Sequence, residues 1–125
     1  MRFAQSLGAF RLPDQGDISP LYVFFDVENV GREDVGISHL YVAPKGAPGP
    51  VYEGPFETHG TLPGTLRPGE KARFWVRAKT LARAMKEAGY GGRPRVELAA
   101  QDDSGNVHKG AFKFRVDEYL ALKDE

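Results

Sequence analysis

Asp102 and Asp103 stand side by side in the stretch QDDSGNVHKG (Gln101 to Gly110), followed by Ser104, Asn106 and His108. These are oxygen and nitrogen donors close enough in sequence to hold a cation, or to shape a tight turn between strands. An EF-hand loop needs oxygen ligands at its first, third and fifth positions, glycine at the sixth and a bidentate glutamate at the twelfth. Counted from Asp102, the ligand positions fall on Asp102, Ser104 and Asn106, but the sixth is Val107 and the twelfth Lys113. The pattern fails where it is most selective. Ser104-Gly105-Asn106 supplies small polar residues that accept left-handed backbone, so the expectation is a hairpin turn.

Other residues capable of chemistry are dispersed. His39, His59 and His108 lack the close spacing of a metal site and read as solvent-facing. Ser6, Ser19, Ser38 and Ser104 do not sit in a strand-turn-helix nucleophile elbow. Asp26 and Glu28 share one face of a strand, as solvated acidic pairs commonly do. The glycines of "GYGGRP" close a helix instead of opening one, so they form no phosphate cradle. With no cysteine, disulfides, thiolate nucleophiles and zinc-thiolate sites are excluded. The chain therefore reads as non-catalytic, with no cofactor and no metal.

Two groups of side chains have binding potential. Trp75 alternates with Phe74 and Val76 and so points away from the core, on the same side as Lys71, Arg73 and Arg77. Tryptophan among cations can stack on a sugar ring, a base or another protein, although a neighbouring helix or loop folding over it is the commoner outcome. Tyr52, Phe56 and His59 lie in the stretch from Pro44 to Gly69, which holds six prolines and six glycines. Long loops of this kind are often functional; alternatively the two aromatics simply pin the loop down. The candidate binding surface is Trp75, Arg73, Arg77, Tyr52, Phe56 and His59.

The elements that must position these groups are mainly strands. In "LYVFFDVENVG" Leu21, Val23, Phe25 and Val27 face one way, and Tyr22, Phe24, Asp26 and Glu28 the other. Asn29-Val30-Gly31 ends this strand with residues that tolerate positive φ. In "DVGISHLYVAP" Val35 and Ile37 are out of phase with Leu40 and Val42, which calls for a bulge near Ser38-His39. The proline-rich loop has room for one edge strand at "PVYEGPF". "RPGEKARFWVRA" is a turn leading into a strand with Ala72, Phe74 and Val76 inward. "KTLARAMKEAG" changes to helical period, with Leu81, Ala84, Met85 and Ala88 on one face, Thr80 as N-cap and Gly89 as the stop. "RVELAAQ" and "HKGAFKFRV" are two further alternating runs, and a first strand falls near Arg2 to Leu12. Residues 117–125 form a tail or short helix.

At 125 residues the chain suits one domain with a real core, and no apolar run is long enough to cross a bilayer. Without an export signal block, a cytoplasmic location is the default. The net charge is zero, yet Met1 to Leu62 holds 4 Lys/Arg against 8 Asp/Glu, and Pro63 to Glu125 holds 13 against 9. Opposed charges of this kind orient partners or further copies of the chain. Between Glu70 and Arg115 there are 11 Lys/Arg against 5 Asp/Glu, but consecutive strands alternate between sheets, so these cations split into modest patches and a nucleic-acid surface is not expected. Sparse Asn and Gln with nine prolines hint at a heat-tolerant source.

In order, "VENVG", "LRPGEKARFWV", the short helix and "AAQDDSGNVHKG" resemble bacterial immunoglobulin-like or fibronectin-III-like sandwich domains over Leu21 to Val116. The chain lacks the cysteine pair of antibody domains, and its tryptophan falls on a later strand. The resemblance implies an all-β, antiparallel immunoglobulin-like β-sandwich of about seven strands, with one short helix before the last two. It also implies a single domain, 1–125, acting through protein–protein contact or self-assembly. A carbohydrate-type ligand module and a loop-mediated inhibitor are the alternatives.

Overall fold

A computed structural model of the chain describes residues 1–8, 21–47, 49–59 and 64–122, with only the main chain of His59 described. Among these residues the elements run β1 (Arg2–Gly8), β2 (Tyr22–Glu28), β3 (Val35–Pro44), β4 (Glu57–His59), β5 (Gly64–Leu66), β6 (Lys71–Arg77), α1 (Ala78–Glu87), β7 (Arg95–Asp102), β8 (Val107–Lys113) and α2 (Val116–Leu120). The protein is mostly β, with two antiparallel sheets of four strands in the orders β1-β2-β6-β4 and β5-β3-β7-β8. Among the described residues eight strands stand where about seven were expected, and two of them, β4 and β5, have only three residues, too few to show alternation.

Period-two patterning decides which side chains are inside. Val23, Phe25 and Val27 of β2 are buried, and they face Val76, Phe74 and Ala72 across the β2–β6 ladder. The second sheet contributes Val42, Val96, Leu98 and Ala100 to the same core. Phe25 is central, with ring centroids 5.3 Å from Phe112, 5.6 Å from Phe74 and 6.2 Å from Phe56. Full burial of each such phenylalanine contributes roughly 1.5–3 kcal/mol over leaving it in water. The β3–β7 register slips between Ile37 and His39, so the expected bulge is present and brings Ile37 and Val42 to one face.

Asn29 ends β2, but not through left-handed backbone: neither it nor Gly31 has positive φ. Its side chain forms the turn instead. The buried amide donates to the main-chain oxygens of Glu33 (2.7 Å) and Leu66 (2.9 Å) and accepts from Gly31 N–H (3.0 Å). Its main chain pairs with Glu70 and Gly69. In the turn before β6, Gly69 takes φ 83°, and the Glu70 carboxylate accepts both the main-chain N–H (2.8 Å) and Nε (3.2 Å) of Arg67.

Two local expectations are corrected. "PVYEGPF" is not an edge strand: Tyr52 makes an isolated bridge to Val42, and the strands lie further on, at β4 and β5. Pro50 and Pro55 remove ladder donors on either side of that bridge. The helix begins at Ala78, not after Thr80, and has no side-chain cap. Its first donor is met by the sheet, because Ala78 N–H bonds to Leu21 O at 3.0 Å. Its buried face is Ala78, Leu81, Ala82 and Met85, while Ala84 is only half-buried and Ala88 is exposed. Gly89 (φ 94°) closes the helix as expected: its N–H meets Lys86 O at 2.9 Å and Tyr90 N–H meets Met85 O at 3.0 Å, a Schellman pair.

The tail is a second helix. Val116 and Tyr119 of α2 are buried, and Tyr119 packs 4.9 Å from Phe114. Asp117 holds α2 in place by accepting from Lys86 Nζ (2.9 Å) and Gly92 N–H (2.6 Å). Together α1 and α2 cover one end of the sheets, while the turns at 29–34, 67–70 and 103–106 occupy the other.

Candidate binding groove around Trp75

Trp75 sits on the outer side of its sheet, between Phe24 of β2 and Glu57 of β4. It is only 8% exposed. The Phe24 ring lies 5.9 Å from it, and its indole N–H donates to Glu57 Oε2 at 2.5 Å. Burial of a tryptophan normally comes with such a partner for its N–H. The residue against it is thus supplied by β4, whose three residues carry no readable pattern.

Trp75, Arg77 and Tyr52 line one groove of about 300 Å³, together with Tyr22, Pro55, Glu57, Val76 and Thr80. Tyr52 reaches it from the loop, where its hydroxyl donates to Pro55 O and its ring packs edge-on against Phe56, 5.2 Å away. Burial raises the Tyr52 hydroxyl above the ordinary phenol range. The groove is walled by aromatic faces and edged by a carboxylate, a guanidinium and a hydroxyl. Tyr22 was not among the expected residues. Its outward position was readable in the alternation of β2, but its place opposite Arg77 depends on strand register.

The remaining expected residues lie elsewhere. Arg73 is directly opposite Asp26 and meets both carboxylate oxygens, at 2.7 and 3.0 Å, with its guanidinium 5.5 Å from the Phe24 ring centre. The hydrogen bond from Arg73 is the main reason the Asp26 carboxyl titrates below its usual range. Phe56 is turned inward, edge-on to Phe25 and to Phe74 (5.1 Å), and so pins the loop to the core. His59 lies opposite Arg73 on β4, and its side chain is outside the described residues.

The opening motif is the β7–β8 hairpin. Asp102 Oδ1 accepts the N–H groups of Ser104 and Asn106, both at 2.9 Å, and Oδ2 lies 3.0 Å from His108 Nε2. The His108 contact leads the set of hydrogen bonds that lower the Asp102 carboxyl below its ordinary value. Gly105 takes φ 88°. The carboxylate is therefore occupied in shaping the turn. His39 lies on the other face of that sheet, 3.3 Å from Glu53. Among the described residues no three His, Asp or Glu side chains gather as metal ligands. Ser38 Oγ donates to Gln101 O (3.1 Å) and Thr58 Oγ1 to Arg73 O (3.0 Å), so both hydroxyls are engaged by main chain.

The cations divide as the strand order requires: Lys71, Arg73 and Arg77 on one sheet, Arg95, Lys109 and Lys113 on the other. No described helix is long and apolar enough to cross a membrane. Comparison with protein-family models, with curated proteins and with solved structures finds no match.

Proposed function

We propose that the chain is a non-catalytic, immunoglobulin-like β-sandwich module that works by protein–protein contact, including contact with further copies of itself. The sheet orders support the architecture: β1-β2-β6-β4 has the neighbour relations of A-B-E-D, and within β5-β3-β7-β8 the run β3-β7-β8 has those of C-F-G, with β5 an additional short strand beside β3. One observation carries the function, the opposite charge of the two ends. At the turn end Glu33, Asp34, Glu70 and Asp103 stand against Arg32 and Arg67. At the helical end Lys79, Arg83, Lys86, Arg93 and Arg115 stand against Glu87, Asp117 and Glu118. A seven-residue strand spans about 23 Å, more than twice the screening length of about 10 Å at 0.1 M salt. Each end therefore presents its own sign to a partner. Sedimentation at about 0.01 M and about 1 M salt tests this, since the screening length falls from about 30 to 3 Å. Association at low salt should disappear at high salt and in the E33K/D34K variant; a monomer under both conditions would defeat self-assembly.

A second reading is supported by the groove. Tyr22, Tyr52 and Trp75 offer aromatic walls, and Glu57, Arg77 and Thr80 offer hydrogen-bonding groups, the combination that holds a sugar ring. A glycan-binding screen of wild type beside Tyr52→Ala tests it. Identical profiles would remove Tyr52 from any such site.

A further inference from the structure

We propose that the cavity between β3 and the loop at 53–56 binds a small neutral aromatic carboxamide, held by the main-chain N–H and C=O of Leu40. The phase of the ladder shows that these two groups are unused. Val42 N–H bonds to Tyr52 O (2.8 Å) and Val42 O accepts Tyr52 N–H (3.2 Å), whereas Lys45 N–H bonds to Arg95 O (2.9 Å). In this half of β3 the odd-numbered residues therefore bond to β7 and the even-numbered ones turn away from it, Leu40 among them. Continuing from the Val42–Tyr52 bridge, the next pair outward is Leu40 with Gly54. That pair is not bonded, for Gly54 takes φ 113° and leaves the strand line. On the other flank β5 pairs with Val35, Gly36 and Ile37 and stops short of Leu40. No described residue meets either main-chain group of Leu40.

The cavity beside Leu40 measures about 230 Å³, with Leu40, Pro55, Phe56 and Phe74 as its apolar walls. Drug-sized ligands take roughly 300–1,000 Å³, so the occupant here is smaller, one ring with one polar group. An added strand does not fit, because Ile37 and Val42 on either side already have partners. Leu40 offers one donor and one acceptor on the same edge, and a primary carboxamide presents the matching acceptor and donor side by side. A carboxylate lacks the donor and an ammonium the acceptor. At the mouth His39 Nε2 lies 3.3 Å from Glu53 Oε1, so the ionisable side chains there engage each other, which favours a neutral ligand. The Phe56 and Phe74 rings stand edge-on, 5.1 Å apart, and suit a flat aromatic body.

The test is NMR on the unaltered chain, with benzamide as the probe. In the free protein the Leu40 amide proton should exchange with solvent far faster than those of Tyr41 and Val42, which are bonded to neighbouring segments. Benzamide at millimolar concentration should shift resonances centred on Leu40, Glu53 and Phe56 and slow exchange at Leu40. Acetophenone has nearly the same shape but carries a methyl group where benzamide carries its NH2. It leaves the Leu40 carbonyl unmet and should bind about tenfold more weakly. Acetamide keeps the polar group without the ring and should bind more weakly than benzamide too. A Leu40 amide protected without ligand, no binding of benzamide, equal affinity for acetophenone, or shifts centred elsewhere would each overturn the proposal. Every comparison is made by changing the ligand, so no outcome depends on a variant that fails to fold.

Discussion

Phe3 on β1 fills the space that a side chain at residue 110 on β8 would need. A Cβ built on Gly110 would fall within 3.0 Å of both Cβ and Cγ of Phe3. Because the two strands belong to different sheets, this contact joins the two sheets along one edge. Gly110→Ala should cost about 1–3 kcal/mol, as overpacking in a dense interior does. Phe3→Ala in the same chain should recover part of that loss in urea unfolding, a non-additive pair. Additive losses would mean the two residues do not share one space.

Asp26 and Arg73 make the best-aligned ion pair, and its pH dependence has a definite sign. Asp26, Glu70, Asp102, Asp117 and Glu118 all titrate below their ordinary values, each chiefly through a hydrogen bond to its carboxylate: from Arg73, the Arg67 main chain, His108, Lys86 and Arg93 respectively. A carboxyl lowered in the folded state stabilises it above the unfolded value, and that contribution is lost as pH falls through the folded value. Thermal unfolding should therefore be nearly level from neutrality to about pH 5 and weaken below about pH 4. Asp26→Asn should melt a few degrees lower at neutral pH, and the gap should close in strong acid.

Asn29→Ala should cost about 2 kcal/mol, because the carbonyls of Glu33 and Leu66 lose the donor that meets them, the one to Leu66 in a buried position. Asn29→Asp should not restore stability, since a carboxylate cannot donate to either oxygen. Chemical denaturation of the two variants would decide it, and recovery with aspartate would contradict the assignment of the amide.

Glu57→Ala should be visible in fluorescence, because Trp75 is the one tryptophan of the chain. Loss of the acceptor for its indole N–H should admit water, shift emission to longer wavelength and cost about 1 kcal/mol. Glu57→Gln keeps an acceptor oxygen and should emit close to wild type. An unchanged spectrum in the alanine variant would show that Glu57 does not determine the indole environment.

Features carried by local phase were legible in the sequence. The alternation of Val23, Phe25 and Val27, the slip that places a bulge at Ser38-His39, and the hairpin at Ser104-Gly105-Asn106 all follow from neighbouring residues. Trp75 was legible only in its direction. Its burial depends on β4, and its groove depends on Tyr22 and Tyr52 arriving from other elements. The start of α1 was unreadable for a similar reason: the group that meets its first N–H is the main-chain oxygen of Leu21, far away in sequence and independent of side-chain identity.

That bond between Ala78 and Leu21 makes the last rung of a sheet also the first turn of a helix. Neither piece can fray by itself at that corner, so transient opening there should proceed as one cooperative unit. Amide protection at Ala78 and along the first turn of α1 should then rise and fall with that of Val76 and Val23, whatever the helix would do as an isolated peptide.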